Sequence, residues 1–183
     1  MRILIKNRQN QRRFNKTKIN RTARKILFLL KQPASDLYDK SELSILFVGN
    51  KEMHKLNADF RGINKTTDVL SFPQVEFRVR HLKSGDKKMG RCEDKQILTS
   101  QPLNFVSSKF QSSSLLLGDI VINVQKAAAR AKITGMTFYE EIYRLLVHGI
   151  LHLLGYEHEK SSSMATAMRK KEKELLNAIK KMD

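Results

Sequence analysis

Three of the chain's five histidines fall within the twelve residues from Val147 to His158, and no other feature narrows so sharply what the chain can be. In a helix, His148 and His152 stand one turn apart on the same face, so both imidazoles can reach one ion. Gly155 suits the left-handed backbone that ends a helix, which swings His158 back toward the first two. Three neutral imidazoles leave the fourth position of a tetrahedral ion open to water, the pattern of a catalytic site for one zinc ion rather than a closed structural one. Zinc lowers the pKa of such a water to about 7. A single histidine in so apolar a helix is more often a hydrogen-bonded core residue; the second at i+4 and the third after a glycine turn favour metal ligation.

The spacing His-x3-His-x2-Gly-x2-His is also that of metzincin proteases, but the residue after the first histidine, their glutamate base, is Gly149 here. Glycine moves no proton and costs a helix roughly 1 kcal/mol relative to alanine, so a close backbone approach is the expected reason for it. The block His148-Gly149-Ile150-Leu151-His152-Leu153-Leu154-Gly155-Tyr156-Glu157-His158 resembles the signature of the YbeY endoribonucleases. Leu56-Asn57-Ala58-Asp59-Phe60-Arg61-Gly62, running into Thr67-Asp68-Val69-Leu70-Ser71-Phe72-Pro73, is similar to a second block of that family, and Leu117-Gly118-Asp119-Ile120 to a third. Glu157 stands where the family usually has aspartate. The likeness spans about residues 1–73 and 115–180.

Charge points the same way. With 35 Lys+Arg against 18 Asp+Glu, the net charge of +17 and pI near 10.1 predict attraction to polyanions, RNA or a ribosome. The longest apolar runs are too short to span a bilayer, so no membrane partner is expected. The lone Cys92 makes no internal disulfide, which suits a reducing compartment. Residues 1–35 hold eleven basic side chains and no acid, a bias shared by mitochondrial presequences and RNA-binding surfaces. They are read as part of the fold, with a cytoplasmic location expected and an organelle matrix as the alternative.

Hydrophobic periodicity predicts an α+β domain over residues 1–183: about four strands in a small mixed sheet, packed with helices, and a central buried helix carrying the histidines. Arg2 to Lys6 reads as a first, buried strand, and Asn20 as the cap of a helix through Ala23, Ile26, Leu27 and Leu30. Leu43 to Val48 reads as a second strand, followed by a helix capped by Asn50 with Met53, Leu56 and Phe60 on its core face. Asp68 to Phe72 and Leu115 to Val124 complete the strands. Between them, residues 74–114 read as a polar, basic insertion in which Val75 to Val79 could add a strand. Asn123 and Thr137, the latter with Glu140 in a capping box, start two further helices. Ser161 or Ser162 starts the last, which packs through Met164, Met168, Leu175 and Ile179.

Two polar residues stand out against this framework. Arg61 just before Gly62 reads on spacing alone as a solvated arginine favoured by the helix dipole; the resemblance makes it a functional, phosphate-binding residue. Asp119 is a carboxylate in an apolar strand that needs a partner if buried, either a metal-bound histidine or a backbone group. The resemblance implies a single-strand-specific, zinc-dependent endoribonuclease acting on ribosomal RNA, with His148, His152 and His158 as ligands and ribosomal proteins as partners. A zinc peptidase, and a non-catalytic assembly factor with structural zinc, are the competing expectations.

Overall fold

The β-branched and aromatic runs pair into one four-stranded sheet in the order β1-β2-β4-β3, built from β1 (Arg2–Asn7), β2 (Ser41–Val48), β3 (Val69–Pro73) and β4 (Leu115–Asn123). The first three in spatial order run parallel and β3 closes the sheet antiparallel to β4, the mixed sheet expected. The computed structural model describes residues 1–30, 41–74, 115–158 and 161–181. The expected insertion, its possible strand at Val75 to Val79 and Cys92 therefore lie outside the described residues, Gln74 excepted.

Five described helices complete the fold: α1 (Lys16–Leu30), α2 (Asn50–Arg61), α3 (Val124–Thr134), α4 (Phe138–Leu153) and α5 (Ser162–Lys180). Alternation along the strands sorts two cores. Ile45 and Phe47 of β2 and Ile120 and Ile122 of β4 join the large core with α1, α4 and α5. On the other face, Val121 meets Val48, Leu70 and Met53 of α2 in a small core of its own. In α4 nearly every non-histidine position after the first turn is buried, Ile142, Leu145, Leu146 and Val147 among them. Full burial of such a side chain contributes roughly 1.5–3 kcal/mol, so packing far outweighs the helix cost of Gly149.

Several local expectations are met. Asn123 accepts from the N–H groups of Gln125 and Lys126, Thr137 and Glu140 form the capping box, and Ser161 accepts from Met164. Others are corrected. β1 is not a buried strand: among the described residues it pairs only with β2, at the sheet edge, with Ile3 buried and Leu4 45% exposed. α1 starts before Asn20, because Asn15 Oδ1 takes the Lys18 N–H (3.1 Å) while Asn20 accepts from the Arg24 side chain. Asn50 is the first residue of α2, not its cap; its N–H is met by Gln125 Oε1 at 2.6 Å, supplied from α3. Phe60 is 65% exposed and lies edge-on to Phe72, ring centroids 5.0 Å apart, rather than in the core.

Candidate metal centre

Helical spacing alone sets His148 and His152 side by side, and their Nε2 atoms lie 3.1 Å apart. The chain leaves α4 through Leu154 and turns at Gly155, whose φ of 82° is the left-handed conformation expected. That turn returns His158 to ring-centroid distances of 5.4 and 5.1 Å from His148 and His152. One ligand nitrogen from each of the three falls within 4.8 Å of the others. Nitrogens around a tetrahedral zinc at about 2.0–2.1 Å stand about 3.4 Å apart, so the donor set fits such an ion. Two ring nitrogens at 3.1 Å need a proton or a cation between them, because their lone pairs otherwise repel.

Protonation is arranged to leave those lone pairs available. Burial first, then the neighbouring His148 and His158, push His152 below its ordinary 6.5 and favour the neutral ring that ligation requires. His148 Nδ1 lies 2.7 Å from Glu172 Oε1, and because an ionised carboxylate can only accept, Nδ1 is the donor; in the neutral ring Nε2 is then the bare nitrogen toward His152. Burial acts to raise the Glu172 carboxyl, but the hydrogen bond and charge of His148, with Arg144 and His158 nearby, bring it below 4.5. The cleft in front of this pair has a volume of about 320 Å³ and is lined by His148, His158, Ala165, Met168, Arg169 and Glu172.

Gly149 explains how α4 can lie where it does. A Cβ there would stand 3.0 and 3.1 Å from the Ile120 methyls and 3.2 Å from Ser71 Oγ, so the helix backbone rests directly on β4 and β3. The close approach expected of this glycine is the observed one. One turn before His148, Arg144 bonds the fully buried carboxylate of Glu141 (2.7 and 2.9 Å) and reaches Asp68 at 3.3 Å. Asp68 ends the loop that starts at Gly62. The same loop is held by Asn57 to the Lys65 carbonyl, by Lys126 to the Thr66 carbonyl and by Asn123 to Thr66 and Thr67. Arg144 thus ties the segment after Arg61 to the histidine helix.

Arg61 is the last residue of α2, exposed, with Gly62 at φ 67° turning the chain as expected. α2 packs on the small-core face, so Arg61 belongs to the layer opposite α4 and is linked to it through the Gly62–Asp68 loop. Asp119 is not the carboxylate that supports a histidine. It alternates with Ile120 and Ile122, which face α4, and pairs in register with Ser44 and Phe72, so it shares the α2 face with Val121. The carboxylate that bonds a histidine of the cluster is Glu172, which spacing alone did not single out. Its signal was available: position 172 lies in the stripe of Met168, Leu175 and Ile179, an acid where an apolar residue is due. Arg144 was legible in the same way, at i−4 from His148.

Among the described residues no helix is long and apolar enough to cross a membrane. Residues 4–180 match the family model described as Endoribonuclease YbeY. A Clostridium beijerinckii protein named Endoribonuclease YbeY is similar at 37% identity, covering 97% of this chain and 96% of the relative. One of the same name from Thermodesulfovibrio yellowstonii is 34% identical over 89% of this chain and 92% of its own. The solution structure of a Thermotoga maritima protein shares the fold, with a TM-score of 0.52 at 21% identity, covering 95% of this chain and 86% of that one.

Proposed function

The chain belongs to the YbeY endoribonuclease family, and from that membership we propose that it is a zinc-dependent endoribonuclease of ribosome maturation. In this reading the whole chain is one nuclease domain that cuts single-stranded ribosomal RNA in the cytoplasm and meets ribosomal proteins there. The observation that carries it is the convergence of three histidine nitrogens within 4.8 Å beside an open cleft. When bound, one zinc ion would supply a Lewis acid able to polarise a phosphoryl oxygen or to activate water.

The chain's own residues supply the rest. His148, His152 and His158 hold the ion, and the neutral form favoured at His152 keeps its lone pair free. Arg61 binds phosphate oxygens through its planar fork, for which an exposed position at a helix end leaves room. The net charge of +17 draws the RNA in from a distance. A peptidase of the metzincin kind needs a glutamate after the first histidine; this chain has Gly149 there, and its contacts with Ile120 and Ser71 crowd any side chain at that position.

The test is elemental analysis of the purified chain and of His152→Ala, each then incubated with single-stranded RNA and with a duplex of the same sequence. One zinc per chain is expected, with the single strand cut and the duplex intact. Both zinc and cleavage should be lost in His152→Ala at unchanged circular dichroism. Zinc present with RNA uncut would overturn the nuclease reading, and no metal in the unmutated chain would overturn the site.

A further inference from the structure

Glu172 is the one acid in the buried stripe that seats α5 against α4, between Met168 and Leu175. A carboxylate in such a position requires a partner that repays its loss of water, and its partner is the Nδ1–H of His148 at 2.7 Å. Both side chains are about three-quarters covered, at 23% exposure each, so the bond is shielded from competing water.

We propose that Glu172 is a positioning residue of the metal centre: its carboxylate fixes His148 as the Nδ1–H tautomer and holds the ring so that Nε2 faces His152 and His158. The role rests on reading the three histidines as a metal site. Without an acceptor at Nδ1 the His148 ring can exchange tautomers and rotate, and each alternative withdraws its lone pair from the shared point. Glu172 does not serve as a ligand itself in this arrangement. It approaches the Nδ1 edge of His148 and is not among the groups whose ligand atoms converge within 4.8 Å of one another. A carboxylate behind a ligating imidazole also raises the basicity of the ligand nitrogen, and its loss typically weakens metal affinity about 10–100-fold.

The experiment uses the full chain as wild type, Glu172→Ala and Glu172→Gln. Histidine side-chain nitrogen NMR on the zinc-free proteins reads the tautomer, and competition with a chromophoric chelator reads zinc affinity. Wild type is expected to show His148 protonated at Nδ1. Glu172→Ala should show a mixture of tautomers and bind zinc about 10–100-fold more weakly. Glu172→Gln, whose amide oxygen still accepts, should restore the Nδ1–H signal but recover only part of the affinity, whereas a purely packing role would let this isosteric side chain recover all of it. An unchanged tautomer together with zinc affinity within about twofold of wild type in Glu172→Ala would overturn the role. Should Glu172→Ala fail to fold, Glu172→Gln decides: affinity equal to wild type overturns the role of the charge, and a severalfold loss supports it. The tautomer is read without metal or RNA, so a chain that bound no zinc or cut no RNA would defeat the proposed function and leave this result standing on its own.

Discussion

The two faces of the sheet divide the work unequally. One carries α1, α4 and α5 over a large continuous core and holds all three histidines; the other carries α2 over the small core of Val48, Met53, Leu70 and Val121, and ends in Arg61. A set of ligands that must converge within a few ångströms needs backbone that does not move, which a helix buried nearly all round provides. A residue that meets a flexible polyanion tolerates a thinner support. The faces communicate around the β3 edge, where Asp68 joins the loop after Arg61 to Arg144, one turn from His148.

The largest effect is expected on removing a ligand from the thick face. His148→Ala should forfeit several kcal/mol of transition-state stabilisation, a fall in RNA cleavage on the order of a thousandfold, with zinc content lost as well. A variant that still cut RNA at the wild-type rate would place the chemistry elsewhere. Next comes the packing itself. Leu146→Ala in the large core should lower stability by about 3–5 kcal/mol and Met53→Ala in the small core by about 2–3, because α2 can settle into the smaller void more easily. Denaturant titration ranks the two, and the reverse order would mean that the thin face is the stiffer one.

Arg61→Ala probes the thin face at lower cost. Loss of a charge-assisted contact to phosphate, about 1.5–3 kcal/mol, should slow cleavage roughly 10–100-fold while zinc content and melting temperature stay put. Normal cleavage by that variant removes Arg61 from the site. The smallest effects lie at the entry to α4. Thr137→Ala should cost about 1 kcal/mol through the lost cap. Its partner Glu140 is held below its ordinary 4.5 by the Thr137 backbone N–H, then by the Thr137 hydroxyl and Lys180. A depressed carboxylate stabilises the fold above its unfolded pKa and ceases to as pH falls through the folded one. The stability gap between wild type and Glu140→Gln should therefore be full near neutral pH and shrink below about 4.5. A gap that widened on acidification would contradict the capping box.

Contacts within one helix turn or one cap are written directly in the order of residues. His148 and His152 converge because the backbone period places i and i+4 together, Gly155 turns because it lacks a Cβ, and Asn123, Thr137 and Ser161 find N–H groups two or three residues ahead. Contacts between distant segments follow from packing instead. The N–H of Asn50 is met by Gln125, 75 residues away, and the partner of His148 arrives from α5, 24 residues on. The face taken by Leu117 was settled by a single irregularity. The register of β2 on β4 shifts between Glu42 and Leu43, so Leu117 joins Ile120 and Ile122 on the α4 side. Strict alternation would have put Leu117 with Asp119 and Val121 on the α2 face; the extra residue at the bulge moves Leu117 to the other. Local periodicity fixes which side chains are neighbours along one element, but which face of a strand meets which helix depends on pairing partners that only the folded chain brings together.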